Sequence, residues 1–427
     1  MKEGIAFVAY YQKQNIYSFN ALIGAIEIDE DLRDIAIYYV RGKQKLLKDL
    51  SKIIKKHLIV AVGISFFTTQ LWEINSLVKD LKKQYLNEIV IIAGGPHPTG
   101  DPLRTLKMGF DIVVVGEGEG TVCDLLKAMK INDDFRKVKG IAYLDTKNNY
   151  YYTGKRSLID LDSYPPFPIK NTQFGAIEIT RGCPYVCYYC QTPYILGTYP
   201  RHRSIESICK YIKIMINENL TDIRFISPNA FSYGSKDGKT LNILKVEELL
   251  SNVRTIIGNS SKVFFGSFPS EVRPEHVTTE TINIVSKYAD NDNIIIGAQS
   301  GSQRVLNLCH RDHSIDDVIN AVELTINAGL KINVDFIFGL PVESEEDIKL
   351  TINLMEILTK KGAKIHTHAF IPLPQTPFAQ KKVAPINEKL KRVINNLNSR
   401  GLAFGEWKKQ EKLAIKISQY LKQAKDA

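Results

Sequence analysis

Three of the six cysteines in this 427-residue chain fall within eight positions, in the run Arg181-Gly182-Cys183-Pro184-Tyr185-Val186-Cys187-Tyr188-Tyr189-Cys190. Gly182 and Pro184 keep this stretch from closing into a helix, so the thiolates of Cys183, Cys187 and Cys190 can converge from one loop on one metal centre. An iron-sulfur cluster suits such donors. A closed cubane takes four cysteines, and three leave one iron open. An open coordination position marks a metal that does chemistry rather than one that only holds a fold. The competing reading is a zinc knuckle, which wants a fourth Cys or His, with His202 the nearest candidate. Cys123, Cys209 and Cys309 stand apart in apolar or helical surroundings and read as core thiols, not as a disulfide framework.

The spacing C-x3-C-x2-C, with the aromatic Tyr189 directly before the last cysteine, resembles the signature of the radical S-adenosylmethionine (SAM) superfamily. The resemblance implies a 4Fe-4S cluster on Cys183, Cys187 and Cys190 whose unique iron chelates the amino and carboxylate groups of SAM. An electron delivered through that cluster breaks the sulfonium bond and gives a 5'-deoxyadenosyl radical. It also implies a reducing protein such as ferredoxin or flavodoxin as a partner, and places Tyr189 beside SAM.

Two α/β units are expected to position these groups. Over residues 1–130, β-branched apolar runs (Ile5 to Ala9, Ile35 to Val40, Leu58 to Ser65, Glu88 to Ala93, Asp111 to Val115) alternate with helical periodicity, which predicts a Rossmann-like, doubly wound parallel sheet. Ligands of such sheets sit at the carboxyl ends of the strands. There the sequence places Ser65-Phe66-Phe67-Thr68-Thr69, Gly94-Gly95-Pro96-His97 and Gly116-Glu117-Gly118-Glu119-Gly120. The first strand is followed by Tyr10-Tyr11-Gln12-Lys13-Gln14 and not by GxGxxG, which disfavours a nicotinamide site. The order of serine loop, helix, strand and Gly-Gly-Pro-His resembles the cobalamin-binding domain found ahead of many radical SAM domains. The resemblance implies that Ser65, Thr68, Gly94, Gly95 and His97 line a slot for the nucleotide tail of cobalamin. No Asp-x-His-x-x-Gly follows the first strand, so no histidine is placed to ligate cobalt from below; His97 also reads as a capping residue.

Residues 131–170 read as a hairpin (138–153) and a proline-stiffened linker through Pro165, Pro166 and Pro168. Residues 171–380 carry six further strand-helix repeats, which predicts a partial (β/α)6 barrel of TIM type with its site at the carboxyl strand ends. The tail, 381–427, is expected to be helical. At the strand ends, Ser270 and Glu271 match the region where the radical SAM family contacts the ribose and carboxylate of SAM, with a helix cap as the other reading of Ser270. Gln299, Ser300 and Arg311 resemble the Gly-x-Gln-Ser-Gly-x stretch and following arginine of the methylthiotransferase-like and cobalamin-linked branches, which makes them SAM or substrate contacts. The family's Gly-Gly-Glu is missing at Pro228-Asn229-Ala230, leaving Ser227 or Asn229 as substitutes. Asp335, inside a strand, needs a buried partner. Alternation puts His366 and His368 on one sheet face, read as substrate contact or packing in preference to a metal pair.

The net charge of +10 is spread over helix faces and reads as solvated surface in preference to a nucleic-acid footprint. No apolar run has the length of a membrane span or a signal peptide, so a cytoplasmic protein is expected. The expected function is a radical SAM enzyme, foremost a cobalamin-dependent methyltransferase acting at an unactivated carbon of a small-molecule or macromolecular substrate. The alternatives are radical chemistry without methyl transfer and a non-catalytic zinc protein.

Overall fold

The computed structural model describes residue 2 and residues 4–422, in two compact units, Met1–Gly175 and Ala176–Ala427. In the N-terminal unit, strands β1 (Ile5–Tyr10), β2 (Ala36–Val40), β3 (Ile59–Ser65), β4 (Val90–Gly94) and β5 (Ile112–Val114) alternate with helices α1 (Ile16–Ile28), α2 (Lys43–Lys56), α3 (Leu71–Tyr85), α4 (Pro96–Gly100), α5 (Pro102–Lys107) and α6 (Glu119–Lys130). All five strands are parallel, in the order β2-β1-β3-β4-β5. Every residue of β1 is buried, as both faces of such a sheet require. Helix α2 shows how its neighbours cover those faces: Leu46, Leu50, Ile53 and Ile54 repeat at helical spacing and are buried, while Lys45, Lys48, Lys52, Lys55 and Lys56 point to solvent.

The hairpin expected in the linker instead belongs to this sheet. Strand β6 (Ile141–Leu144) pairs antiparallel with β5, and β7 (Tyr150–Tyr152) pairs with β6. Ile141 and Ala142 are fully buried, so leaving the hairpin free would expose core surface. The proline segment is likewise pinned to α1. Glu27 accepts hydrogen bonds from the backbone N–H groups of Ile169, Lys170 and Asn171, and a side chain on Gly24 would lie 2.9 Å from Pro165.

In the C-terminal unit, β8 (Ile177–Glu178) leads to a short antiparallel pair, β9 (Thr180–Arg181) and β10 (Arg201–His202), which brackets the cysteine loop and α7 (Thr192–Leu196). Then follow α8 (Ile205–Asn217), β11 (Asp222–Ile226), α9 (Ile243–Ile257), β12 (Lys262–Phe264), α10 (Thr279–Tyr288), β13 (Asn293–Gln299), α11 (Gln303–Leu308), α12 (Ile315–Asn327), β14 (Lys331–Phe338), α13 (Glu345–Lys360) and β15 (Lys364–Ala369). Parallel ladders run β8-β11-β12 and β13-β14-β15. A single bridge between Val272 and Ile296, with Ile295 N–H donating to Gly266 at 3.0 Å, joins the two sheets into an open arc. The tail is not wholly helical. Between α14 (Glu388–Ser399) and α15 (Trp407–Lys422), β16 (Ala403–Phe404) adds a further parallel strand to β15. Gly401 and Gly405, both at positive φ, turn the chain into and out of it. Among the described residues no helix is long and apolar enough to cross a membrane.

Candidate active site

The cysteine loop leaves the carboxyl end of β8 and is held by backbone on both sides. Gly182 has φ +93°, and a side chain there would come within 2.3 Å of the Tyr199 carbonyl. Cys183 N–H donates to Gly197 at 3.0 Å, and Cys190 N–H to Cys187 at 3.0 Å. At the loop's start, Arg181 grips Glu178 with a two-pronged fork at 2.9 and 2.6 Å. The segment after α11 straps the loop from the far side of the arc. Tyr188 N–H donates to Cys309 at 3.0 Å, His310 Nδ1 lies 2.8 Å from the Tyr185 carbonyl, and the His310 ring stacks on Tyr188. Arg273 lies over the Tyr185 ring at 3.3 Å, and the Tyr185 hydroxyl meets His276.

All six cysteines are free thiols. Burial pushes the thiols of Cys183 and Cys190 up, and proximity to Cys187 pushes each further in the same direction, so the three sulfurs sense one another as charges. Arg273 and Arg311 work against that rise at Cys183. Thiolates about 2.3 Å from one zinc ion lie within ~4 Å of each other. Among the described residues, the group whose ligand atoms all come within 4.8 Å of one another is Asp335, His366 and His368, and the three cysteines do not form such a group. His202 cannot complete a zinc site, because Thr180 and the Ser235 carbonyl occupy its two nitrogens at 2.9 and 2.8 Å. Among the described residues the three thiols therefore do not form the tight trio of a zinc site, which suits a cluster that spreads its cysteine ligands over separate irons.

Around this loop the expected SAM contacts divide into two groups. Gln299 sits at a register break at the end of β13 with φ +67°, and its buried Oε1 has no partner. A non-glycine residue held in that conformation is typical of a site. Gly297 lets Gln299 and Arg311 close on the strand end: a Cβ there would lie 2.3 Å from Gln299 Nε2 and 2.8 Å from the Arg311 guanidinium and would displace both side-chain ends. Glu271 is solvent-exposed and stands beside Asp335. Desolvation and the neighbouring Asp335 push its carboxyl up to about 7, with Arg311 and His366 opposing. Tyr189 packs its ring beside Val305, Cys309, Leu340, Phe370 and Phe378, and its buried hydroxyl has no partner.

Ser270 and Ser300 are spoken for within the fold. Ser270 Oγ donates to the Phe225 carbonyl at 2.7 Å and accepts from Ser227 N–H. It clamps the end of β11, and Arg273, not Ser270, stands at the cap of the turn that follows. Ser300 is fully buried and meets Thr351 on α13 at 3.3 Å. Ser227 and Asn229 are also committed: Ser227 donates to the Asn229 carbonyl, and the Asn229 side chain bridges His276 and Arg273 N–H. Sequence reasoning did not anticipate Arg273 or His276, whose roles come from loop packing that leaves no periodic trace.

In the N-terminal unit the serine and glycine loops meet at the carboxyl edge of β3 and β4. Phe66 N–H donates to Gly94, and His97 N–H to the Phe66 carbonyl. A side chain on Gly95 would lie 2.7 Å from Ser65 Oγ, so this glycine, at φ +92°, lets the two loops close on each other. Gly94 and Gly116 are different: a side chain on either would meet nothing within 4 Å. They leave a bare cradle, which fits the close approach of a bulky cofactor such as cobalamin. His97 and Thr68 do not face that cradle. Both are buried, with His97 Nδ1 3.1 Å from Thr68 Oγ1, and burial lowers the imidazole to about 4. The pair braces the loops from behind, and His97 stays neutral there.

Residues 177–355 match the radical SAM superfamily and residues 23–126 match the B12-binding domain. The chain thus carries a radical SAM domain with a B12-binding domain ahead of it, each matched by its family model. It is accordingly an enzyme, with a 4Fe-4S cluster, SAM and cobalamin as its cofactors. An uncharacterized protein of Methanocaldococcus jannaschii is 28% identical over 409 residues, covering 84% of this chain and 78% of the relative. Among solved structures, the radical SAM methyltransferase TsrM from Kitasatospora setae, with cobalamin and a 4Fe-4S cluster bound, aligns with a TM-score of 0.69 at 14% identity, over 89% of this chain and 77% of that one. The cobalamin-dependent SAM radical enzyme OxsB aligns with a TM-score of 0.66 at 17% identity over 82% of this chain; the chain spans about half (51%) of OxsB.

Proposed function

We propose that this enzyme is a cobalamin-dependent radical SAM methyltransferase acting at an unactivated carbon. The observation that carries the reading is the pairing, in one chain, of a loop whose three thiols sense one another with a strand-end cradle left bare at Gly94 and Gly116. When bound, the cofactors supply hydrogen abstraction and carriage of the methyl group.

The chain's own residues bind and orient. Cys183, Cys187 and Cys190 hold the cluster, and Arg273 and Arg311 set positive charge beside it. Gln299 offers its unpartnered Oε1 as an acceptor for the amino or hydroxyl groups of SAM. Glu271, its carboxyl pushed up by its surroundings and by Asp335, offers a further polar contact beside Arg311. Residues 1–130, with the 131–170 segment packed on them, take cobalamin. Residues 171–380 take cluster, SAM and substrate, and 381–427 shape the substrate mouth. The substrate is a small molecule or a macromolecule, a ferredoxin or flavodoxin supplies electrons, and the cytoplasm is the compartment that such a reductant requires.

The test is anaerobic purification of the full chain with cobalamin supplied, followed by assays for bound corrinoid, iron, and 5'-deoxyadenosine formed on addition of reductant. A stoichiometric corrinoid with a SAM-responsive cluster is the expected result. A chain that binds a cluster and cleaves SAM but takes up no corrinoid would overturn the methyltransferase reading and leave radical chemistry of another type.

A further inference from the structure

On the inner face of the C-terminal arc, Asp335 of β14 and His366 of β15 are direct partners in the parallel ladder, and His368 follows on the same face. Asp335 Oδ1 lies 3.0 Å from His366 Nδ1, His366 Nδ1 lies 3.1 Å from His368 Nε2, and His368 Nε2 lies 3.9 Å from Asp335 Oδ2. Protons alone satisfy this arrangement poorly. Nδ1 of His366 carries at most one proton, so it cannot both donate fully to Asp335 and accept from His368. If it accepts from His368, its lone pair opposes a carboxylate oxygen at 3.0 Å. A cation at the common centre resolves the conflict, because all three atoms then present lone pairs to it. Ligands about 2.0–2.2 Å from one ion, at right or tetrahedral angles, lie ~2.8–3.6 Å apart; the 3.0 and 3.1 Å separations fall in that range, and the 3.9 Å gap between His368 and the second carboxylate oxygen would have to close by about 0.3 Å on binding.

We infer that Asp335, His366 and His368 form a second metal site, for zinc or ferrous iron, separate from the cysteine loop. Two imidazoles and one carboxylate on one face, with further positions open, is the donor set those ions prefer. Asp335 is almost wholly buried, whereas the two histidines each keep 29% of their side-chain surface accessible. The open positions therefore face the hollow of the arc, where Glu271 stands beside Asp335. There the ion takes an oxygen donor, either the Glu271 carboxylate or a carboxylate, phosphate or hydroxyl of the substrate. The His366 ring is held by stacking on Phe404, with centroids 4.4 Å apart. Gln410 Oε1 accepts from Ala369 N–H at 2.8 Å, which leaves its Nε2 3.5 Å from His368 Nδ1, longer than a well-formed hydrogen bond. A carboxylate at that position would accept the Nδ1 proton of a metal-bound His368 and tighten the site.

The experiment uses the full chain with its cluster reconstituted, so that the cysteines are occupied. The protein is equilibrated with zinc sulfate, or with ferrous iron under argon, then desalted, and metal per chain is read by mass spectrometry. The expected result is a single retained zinc, or a single iron beyond the cluster's own. Retention is expected to fall at least about tenfold in His366→Gln/His368→Gln and to rise in Gln410→Glu. Equal retention by the wild type and the double variant, or none by the wild type, overturns the inference. Should the double variant not fold, melting decides: zinc raises the melting temperature of the wild type and not that of Asp335→Asn, and an unmoved wild type overturns the site. Neither reading depends on corrinoid, so the inference stands or falls apart from the methyltransferase assignment.

Discussion

Arg311 holds the Gly297 carbonyl at 2.9 Å with one arm of its guanidinium and brings the other to 3.9 Å from Cys187 Sγ. A fixed positive charge is thereby set at the edge of the loop that takes the cluster, and the same contact draws the end of β13 toward that loop. A cation at that range stabilises the form of the cluster that has gained an electron. Arg311→Met is expected to lower the midpoint potential by roughly 60 mV, the one-electron equivalent of a tenfold change. Arg311→Lys is expected to lie in between, since it keeps charge and loses the fork. Potentiometry of the reconstituted chain reads the shift, and an unchanged potential would deny the guanidinium this role.

On the proposed reading, each of Cys183, Cys187 and Cys190 supplies one ligand to the cluster. Changing any one to Ala is expected to abolish the iron-sulfur absorption and all formation of 5'-deoxyadenosine. Cys209→Ala, well removed in sequence and on the face of α8, is expected to leave both intact. Visible spectra and product chromatography after anaerobic reconstitution distinguish the two classes.

The two adjacent glycines of the N-terminal unit are expected to respond differently. Gly95→Ala sets a Cβ against Ser65 Oγ at 2.7 Å on a backbone at φ +92°, and should destabilise the unit by about 1–3 kcal/mol. Gly94→Leu meets no protein atom within 4 Å of its Cβ. It is expected to fold normally while corrinoid affinity drops by about tenfold or more, because its side chain occupies the cradle. Thermal melts beside corrinoid titrations separate these outcomes. Tight corrinoid binding by a folded Gly94→Leu chain would place the cofactor elsewhere.

His97 makes acid stability a local property. Its ordinary value of 6.5 falls to about 4 in the fold, chiefly through burial. Between those values the unfolded chain takes up a proton that the folded chain refuses, so stability declines as pH drops from 6.5 to 4 and is unaffected by this group above that window. The gap corresponds to about 3 kcal/mol. His97→Gln is expected to flatten the dependence of the melting temperature on pH across the window, as calorimetry would record. An unchanged slope would mean that the imidazole is protonated in the native state.

The sequence alone was enough for the periodic parts of the molecule. Alternating β-branched runs and helical stripes, such as β1 and α2, reveal a parallel sheet because burial on two faces demands them, and the cysteine spacing stands out because few chemistries need three thiols on one loop. What it could not decide was which polar side chains the fold consumes. Ser270 and Ser300 lie in the expected stretches, yet their hydroxyls go to Phe225 and Thr351, since a buried hydroxyl takes whatever acceptor packing brings within reach. Nor could it attach the 138–153 hairpin to the first sheet, add β16 to the arc, or see that Asp335 meets His366 and His368. Those relations join residues tens of positions apart through strand register, and register belongs to the folded chain as a whole, not to any local stretch of it.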